Sequence, residues 1–87
     1  MARYFFHLRD GNDMVLDPDG VELADDAAIA QCAMRNARDI LSHDIREGRI
    51  DLRFRIHAED EDGNVVHSLH FSEAFETIEP GTDDPPA

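Results

Sequence analysis

The longest periodic pattern of hydrophobic residues in the chain covers residues 25–48. Apolar side chains recur there at intervals of three and four, and on a helical wheel they share one side: Ile29, Ala30, Ala33, Met34, Ala37, Ile40, Leu41 and Ile45. This spacing predicts an amphipathic helix, with Asp25 as its N-cap and Gly48 as the residue that ends it. One helix cannot bury its own apolar side, so neighbouring segments must supply the opposing surface.

Residues before the helix alternate between apolar and polar types as the residues of a β-hairpin do. Residues 3–9 form the first predicted strand, residues 10–13 have turn chemistry, and residues 14–16 return as the second strand. A tight turn places Val15 on the face of Phe6 and Leu8. It places Met14 and Leu16 on the opposite face.

A second hairpin is predicted after the helix. Residues 52–58 alternate strictly, with Leu52, Phe54, Ile56 and Ala58 on the apolar side, and residues 60–64 are typical of a turn. Residues 65–71 then return. The expected cross-strand pairs are Phe54 with Phe71, Ile56 with Leu69, Ala58 with His67, Arg55 with His70, and His57 with Ser68.

These elements predict an α+β domain of order β-β-α-β-β. We expect a four-stranded antiparallel sheet, with strand order 2-1-3-4 favoured and the long helix packed on one face. Residues 1–78 form this single domain. Residues 79–87 contain three prolines and no large apolar residue, which predicts an acidic disordered tail.

Charge and cysteine content limit the functional classes. The net charge is −12, and the last third, residues 56–87, contains nine acidic residues and neither lysine nor arginine. These acidic residues repel phosphate backbones over a Debye length of about 8–10 Å, so generic nucleic-acid binding is disfavoured. The single cysteine, Cys32, excludes an internal disulfide, and no apolar run is long enough to span a bilayer. A cytoplasmic location is therefore expected.

Three stretches of sequence resemble a known family. Residues 3–11 read Arg-Tyr-Phe-Phe-His-Leu-Arg-Asp-Gly, residues 19–25 read Asp-Gly-Val-Glu-Leu-Ala-Asp, and residues 60–65 read Asp-Glu-Asp-Gly-Asn-Val. Together with the alanine-rich helix they resemble the small bacterial proteins of domain of unknown function 6894, over roughly residues 2–75. The resemblance implies a small stand-alone domain and assigns no catalytic residue.

The face of the sheet away from the helix is the strongest candidate site. Apolar residues are expected there, although polar residues normally line an uncovered face. The candidate interaction face consists of Phe5, His7, Met14, Leu16, Arg55, His57 and His70. Two explanations stay open: a second copy or another protein covers this face, or Phe75 and Ile78 fold back over it.

Other candidate chemistry has a plainer interpretation. The histidines suggest a metal or catalytic site, but His67 and His70 are three apart on a strand and face opposite sides. We therefore predict no catalytic residue, metal or cofactor. Asp44 falls inside the apolar side of the helix, so it should pair with Arg49, Arg53 or a backbone donor, or be exposed by the end of the sheet. A structural ion pair is favoured over a functional acid.

Three functions follow from these observations. The leading hypothesis is a non-enzymatic protein-interaction or regulatory module that acts as a homodimer. The alternative is an antitoxin-like or nucleic-acid-linked regulator that uses the arginines of residues 35–55. This stretch contains six arginines and four acidic residues. The third is a small histidine-dependent metal protein or hydrolase.

Overall fold

The computed structural model describes residues 1–81 of the chain. Most of the predicted tail, residues 79–87, lies outside this range. The described residues form an α+β domain, as predicted, with these elements: β1 (Ala2–Arg9), β2 (Met14–Val15), β3 (Val21–Leu23), α1 (Asp26–Arg46), β4 (Arg55–Glu59), β5 (Val65–His70) and a short 3-10 helix (Phe71–Glu73). Within residues 1–81, no helix has the length and apolar character needed to cross a membrane.

The strands form one antiparallel sheet in the order β2-β1-β4-β5, which confirms the predicted order of the two hairpins. The sheet has five strands rather than four. The additional strand is β3, which pairs with the start of β1 through Ala2–Leu23 and Tyr4–Val21. The prediction of four strands omitted β3, which forms because the chain turns at residues 17–20 and then rejoins β1.

Helix α1 begins and ends where the sequence predicts. The Asp25 carboxylate accepts the backbone N–H of Ala28 at 2.8 Å, which is an N-cap contact. At the other end, Gly48 has a φ of +86° and donates its N–H to the carbonyl of Ile45. Between these ends Ala33 and Ala37 are fully buried. Their small side chains let the helix backbone approach the sheet closely.

The hydrophobic core lies between α1 and one face of the sheet. Ile56, Ala58 and Leu69 are buried on this face, and the ring of Phe71 is buried beside Phe54 with 5.9 Å between the ring centroids. Burying a side chain as large as Phe71 contributes roughly 1.5–3 kcal/mol relative to leaving it exposed. The core therefore holds the helix and the second hairpin together.

Leu52 does not belong to this core, contrary to the prediction. Its side chain is 45% exposed, and β4 begins only at Arg55. The cause is local, because the Asp51 carboxylate accepts the backbone N–H of Arg53 and pairs with its guanidinium. This turn keeps residues 51–53 out of the strand.

Both hairpins confirm the predicted faces, and only the second has a loop that differs from the prediction. In the first, Leu8 pairs with Val15 and Arg9 with Met14, and Asp10 donates its N–H to the carbonyl of Asp13, so the register is that of the predicted tight turn. Strand β2 ends at Val15, and Leu16 lies outside it with 63% of its side chain exposed. The prediction that residue 16 belongs to the strand was therefore wrong.

In the second hairpin the predicted pairs from Arg55–His70 to Ala58–His67 are present. The loop is not the expected two-residue turn, because Asp60 donates its N–H to the carbonyl of Asn64 and leaves three residues between them. By itself, a three-residue loop would turn each side chain of β5 to the opposite face of the sheet. An irregularity next to Ala58 and Glu59 adds one residue to β5 and restores the predicted faces.

Candidate functional site: the open face of the sheet

The face of the sheet opposite α1 carries side chains in three rows, and we call it the open face. Residues directly opposite each other on neighbouring strands define the rows. The cationic row contains Arg9 and Arg55, with Met14 and His70 at its two ends; the histidine row is His7, His57 and Ser68; and the third row is Phe5, Glu59 and Val65. Neighbouring strands lie about 4.8 Å apart, so each row is a compact group of side chains.

The Phe5 end of the open face is held in place by the loop between β2 and β3. The Phe5 ring lies parallel to the His7 ring, with an interplanar angle of 10° and 6.4 Å between centroids. It also lies against Gly20, where an added Cβ would be 2.8 Å from the ring. Gly20 has a φ of +69°, a left-handed conformation that favours glycine. Phe5 is therefore half-buried by the protein itself rather than fully exposed.

Asp17 fixes this loop on β1. Its carboxylate accepts three backbone N–H groups, from Phe6, Asp19 and Gly20, each at 3.1 Å. Burial by itself would raise the pKa of Asp17, but the hydrogen bonds from Gly20, Phe6 and Asp19 outweigh it and lower the pKa below its ordinary value. The ionised carboxylate therefore stabilises the loop at neutral pH.

Asp17 also orients His7. The backbone N–H of Asp17 donates to Nδ1 of His7 at 3.1 Å, so in the neutral ring the proton is on Nε2. Nε2 lies 3.7 Å from Oε1 of Glu59 across the sheet. His7 is thus placed by a backbone donor on one side and by a carboxylate on the other.

The cationic row has no acidic partner within residues 1–81. Arg9 lies directly opposite Arg55, and neither guanidinium forms a salt bridge with the described residues. The Nε atoms of both arginines and Nδ1 of His57 are buried without a hydrogen-bond partner in that range. Like charges on directly opposite residues destabilise a sheet, and unpaired buried donors add to that cost.

His57 responds to this environment. Burial lowers its pKa most, and the neighbouring Arg55 and Arg9 lower it further. The imidazole of His57 therefore resists protonation as long as the cationic row has no counter-charge.

The structure brings most of the predicted interaction face together. Phe5, His7, Arg55, His57 and His70 share the open face, and Met14 lies at its margin opposite Arg9. Leu16 does not join them. Sequence reasoning missed Arg9 and Glu59, although strand alternation alone would have placed both beside the predicted residues.

Phe75 and Ile78 do not cover the open face, so that explanation was wrong. Phe75 lies on the helix side of the molecule, in a hollow that Leu41 and Ile45 also line. Ile78 is 83% exposed. No segment within residues 1–81 forms a layer over the open face.

The predicted ion pair of Asp44 was also wrong. Arg53 pairs with Asp51 at 2.9 Å, and no salt bridge within the described range involves Asp44 or Arg49. Asp44 uses its backbone instead, because its carbonyl accepts the N–H groups of Glu47 and Arg49 at the end of α1. The local turn at Asp51 takes the guanidinium that the helix residue was expected to bind.

The arginines of residues 35–55 do not form one surface. Arg38 donates from Nε to the carbonyl of Ala74 at 2.7 Å, Arg53 pairs with Asp51, and Arg55 lies on the open face. The basic character of this part of the sequence is therefore divided among separate places in the fold. Within residues 1–81 no three His, Cys, Asp or Glu side chains lie close enough together to hold a metal ion.

The comparisons with known proteins agree with the resemblance seen in the sequence. No curated protein and no solved structure matches the chain. A family model, Domain of unknown function (DUF6894), matches residues 3–72, which include α1, strands β2 to β5 and all of β1 except Ala2. The chain therefore belongs to the DUF6894 family.

Proposed function

We propose that the chain is a cytoplasmic, non-enzymatic interaction or regulatory module that acts as a homodimer through the open face of its sheet. The observation that carries the proposal is the cationic row, in which Arg9 and Arg55 lie side by side without an acidic partner in the described residues. Local rules of sheet pairing are broken mainly where a protein binds something. A binding partner that supplies carboxylates or an aromatic ring would remove the cost.

Apolar groups at the edge of the same face support the proposal. Met14 is 43% exposed beside Arg9, and the half-buried ring of Phe5 lies at the other end. Aromatic residues, methionine and arginine are enriched in protein interfaces, and this face contains all three. The separation of Arg38, Arg53 and Arg55 gives less support to the antitoxin-like or nucleic-acid-linked alternative, which needs them on one surface.

Light scattering coupled to size exclusion, over a range of protein concentrations, tests the proposal. We expect twice the monomer mass at high concentration. Met14→Lys adds a cation beside Arg9 and should shift the equilibrium towards monomer. Ile50→Lys is the matched control, because Ile50 is also exposed, at 49%, but lies in the hollow on the helix side. A monomer at every concentration would contradict the proposal.

A further inference from the structure

The three rows of the open face limit how two copies can pack face to face. A homodimer has a two-fold axis, and when two sheets pack on each other this axis lies between them. An axis parallel to the strands keeps every row over itself. The cationic row of one copy would then lie on the cationic row of the other, with Arg9 and Arg55 among like charges.

An axis perpendicular to the strands can lie along any one of the three rows. An axis along the cationic row places each arginine over the same arginine of the second copy. An axis along the third row places Glu59 over Glu59 of the second copy. Along the histidine row the result is different. The cationic row and the third row change places, so Arg55 lies over Glu59 of the second copy and Arg9 lies over Phe5 of the second copy.

We propose that two copies of this chain pair through the open face about an axis along the histidine row, with Arg55 of each copy bound to Glu59 of the other. The inference rests on the proposed function, and adds to it the register of the dimer and the residues that determine it. The second contact, Arg9 on the ring of Phe5, is a cation–π interaction.

The contacts within one copy leave both groups available. The Glu59 side chain is 22% exposed, and its one salt-bridge contact within residues 1–81 is with His7 at 3.7 Å. A carboxylate accepts about four hydrogen bonds, so Glu59 keeps acceptor sites for a guanidinium. Arg55 and Glu59 are four residues apart on one strand, about 13 Å, and do not pair with each other in the same copy.

The same register makes the dimer sensitive to pH. His57 lies over His57 of the second copy, so protonation of both rings would bring positive charges together. The groups that act on His57 within one copy are Arg55, Arg9, Glu59 and His70, and His7 lies directly opposite it on β1. Of these only Glu59 favours the charged ring, and the proposed contact draws Glu59 towards an arginine. Because the pKa of His57 is lowered from 6.5, we expect the dimer to weaken only at a pH below that ordinary value.

A charge-exchange experiment on the full chain tests the register. Sedimentation equilibrium gives the dimer dissociation constant for wild type, Arg55→Glu, Glu59→Arg and the double variant. Each single variant places like charges opposite each other twice in a symmetric dimer and should weaken the dimer at least tenfold. The double variant restores opposite charges and should return to within about threefold of wild type. Circular dichroism checks that each variant is folded.

If a charge reversal prevents folding, Arg55→Gln, Glu59→Gln and their double variant replace it. The proposal then predicts that the double variant weakens the dimer no more than either single variant, because both remove the same contact. The register would be overturned if the two glutamine substitutions weakened the dimer additively. It would also be overturned if the double variant Arg55→Glu, Glu59→Arg did not recover the dissociation constant of wild type. A dimer whose dissociation constant is unchanged in every variant would also overturn the register, but it would not contradict the proposed homodimer.

A monomeric wild type would remove both the inference and the homodimer. Titration of the same samples with a poly-glutamate peptide and with a short single-stranded DNA distinguishes the other occupants of the face. If the peptide or the DNA binds saturably to a monomeric wild type and fails to bind Arg55→Glu, that result would assign the open face to an anionic partner instead of a second copy.

Discussion

The two faces of the sheet follow opposite rules, and β4 contains both. Ile56 and Ala58 point towards the helix and are buried among apolar residues, whereas Arg55, His57 and Glu59 point away from it. The covered face obeys the usual preference for apolar contacts without buried charge. The open face breaks it, because like-charged groups lie opposite each other and buried nitrogen atoms lack partners. One side of the strand is explained by folding alone, and the other side is not.

The comparison separates stability from function. Residues on the covered face should determine the free energy of unfolding, and residues on the open face should determine association. The following variants test this division, from the largest expected effect to the smallest.

Phe71→Ala should cause the largest loss of stability. Phe71 is the largest fully buried side chain among the described residues, and its removal leaves a cavity beside Phe54. Substitutions of this kind cost about 3–5 kcal/mol, a large part of the stability of a small domain. Urea unfolding measures the change. The control is Phe75→Ala, because Phe75 is 38% exposed and should lose far less. Equal losses would show that the covered face is not the main source of stability.

Gly20→Ala tests the loop that supports the open face. An added Cβ would lie 2.8 Å from the Phe5 ring and 2.9 Å from the carbonyl oxygen of Tyr4. We expect a loss of about 2–4 kcal/mol from the left-handed backbone and the steric conflict together.

Gly63→Ala is the matched control for this variant. Gly63 also has a positive φ, +86°, but nothing lies within 4 Å of its added Cβ. It should therefore lose only about 1–2 kcal/mol, the cost of the backbone conformation. The difference between the two variants, read from thermal or urea unfolding, measures the steric conflict with the Phe5 ring and the Tyr4 carbonyl together. If the two losses are the same, Phe5 does not depend on the loop.

Asp17→Asn should destabilise the protein in a pH-dependent way. The folded pKa of Asp17 is lowered from 3.8, so its contribution is fully present above that value and disappears as the pH falls through the folded pKa. At pH 7 the variant should lose about 1–3 kcal/mol, because hydrogen bonds to a charged acceptor are weakened. Urea unfolding at pH 7 and pH 3 should show the difference from wild type shrinking at the lower pH. Asp13→Asn in the exposed first loop is the control, and a difference that stays constant with pH would contradict the role of the charge.

Strand alternation explains how much of the fold could be predicted. The faces of Ile56, Leu69 and Val15 follow from the period of two, and they were correct although the second loop differs from the expected turn. The second hairpin shows why, because an irregularity beside Ala58 compensates for the odd loop length. Burial of one face determines the register, and the loop adapts to it.

What the sequence did not predict depends on contacts between distant residues. β3 forms because Asp17 accepts the N–H of Phe6, eleven residues away, and neither propensity nor spacing indicates that bond. The candidate site was half predicted for a similar reason. The histidines are candidate site residues by their chemical type alone. Arg9 and Glu59 are identified only by the strand register, which places Arg9 beside Arg55.

Asp44→Ala is the smallest of the expected effects and the sharpest test of the covered face. Asp44 lies near the C-terminal end of α1, where the helix dipole disfavours a negative charge, and no described residue pairs with it. Asp26→Ala is the matched control, since it makes the same substitution in the first turn, where a carboxylate is favourable. The gain in helix propensity is similar at both sites, so the two variants should differ by about 0.5–1 kcal/mol, with Asp44→Ala the more stable. Urea unfolding of the two variants side by side measures this difference. A loss of more than about 1 kcal/mol in Asp44→Ala would mean that a charge pair also stabilises the covered face, because an unpaired surface carboxylate cannot account for it. The contrast between the two faces would then no longer separate folding from binding.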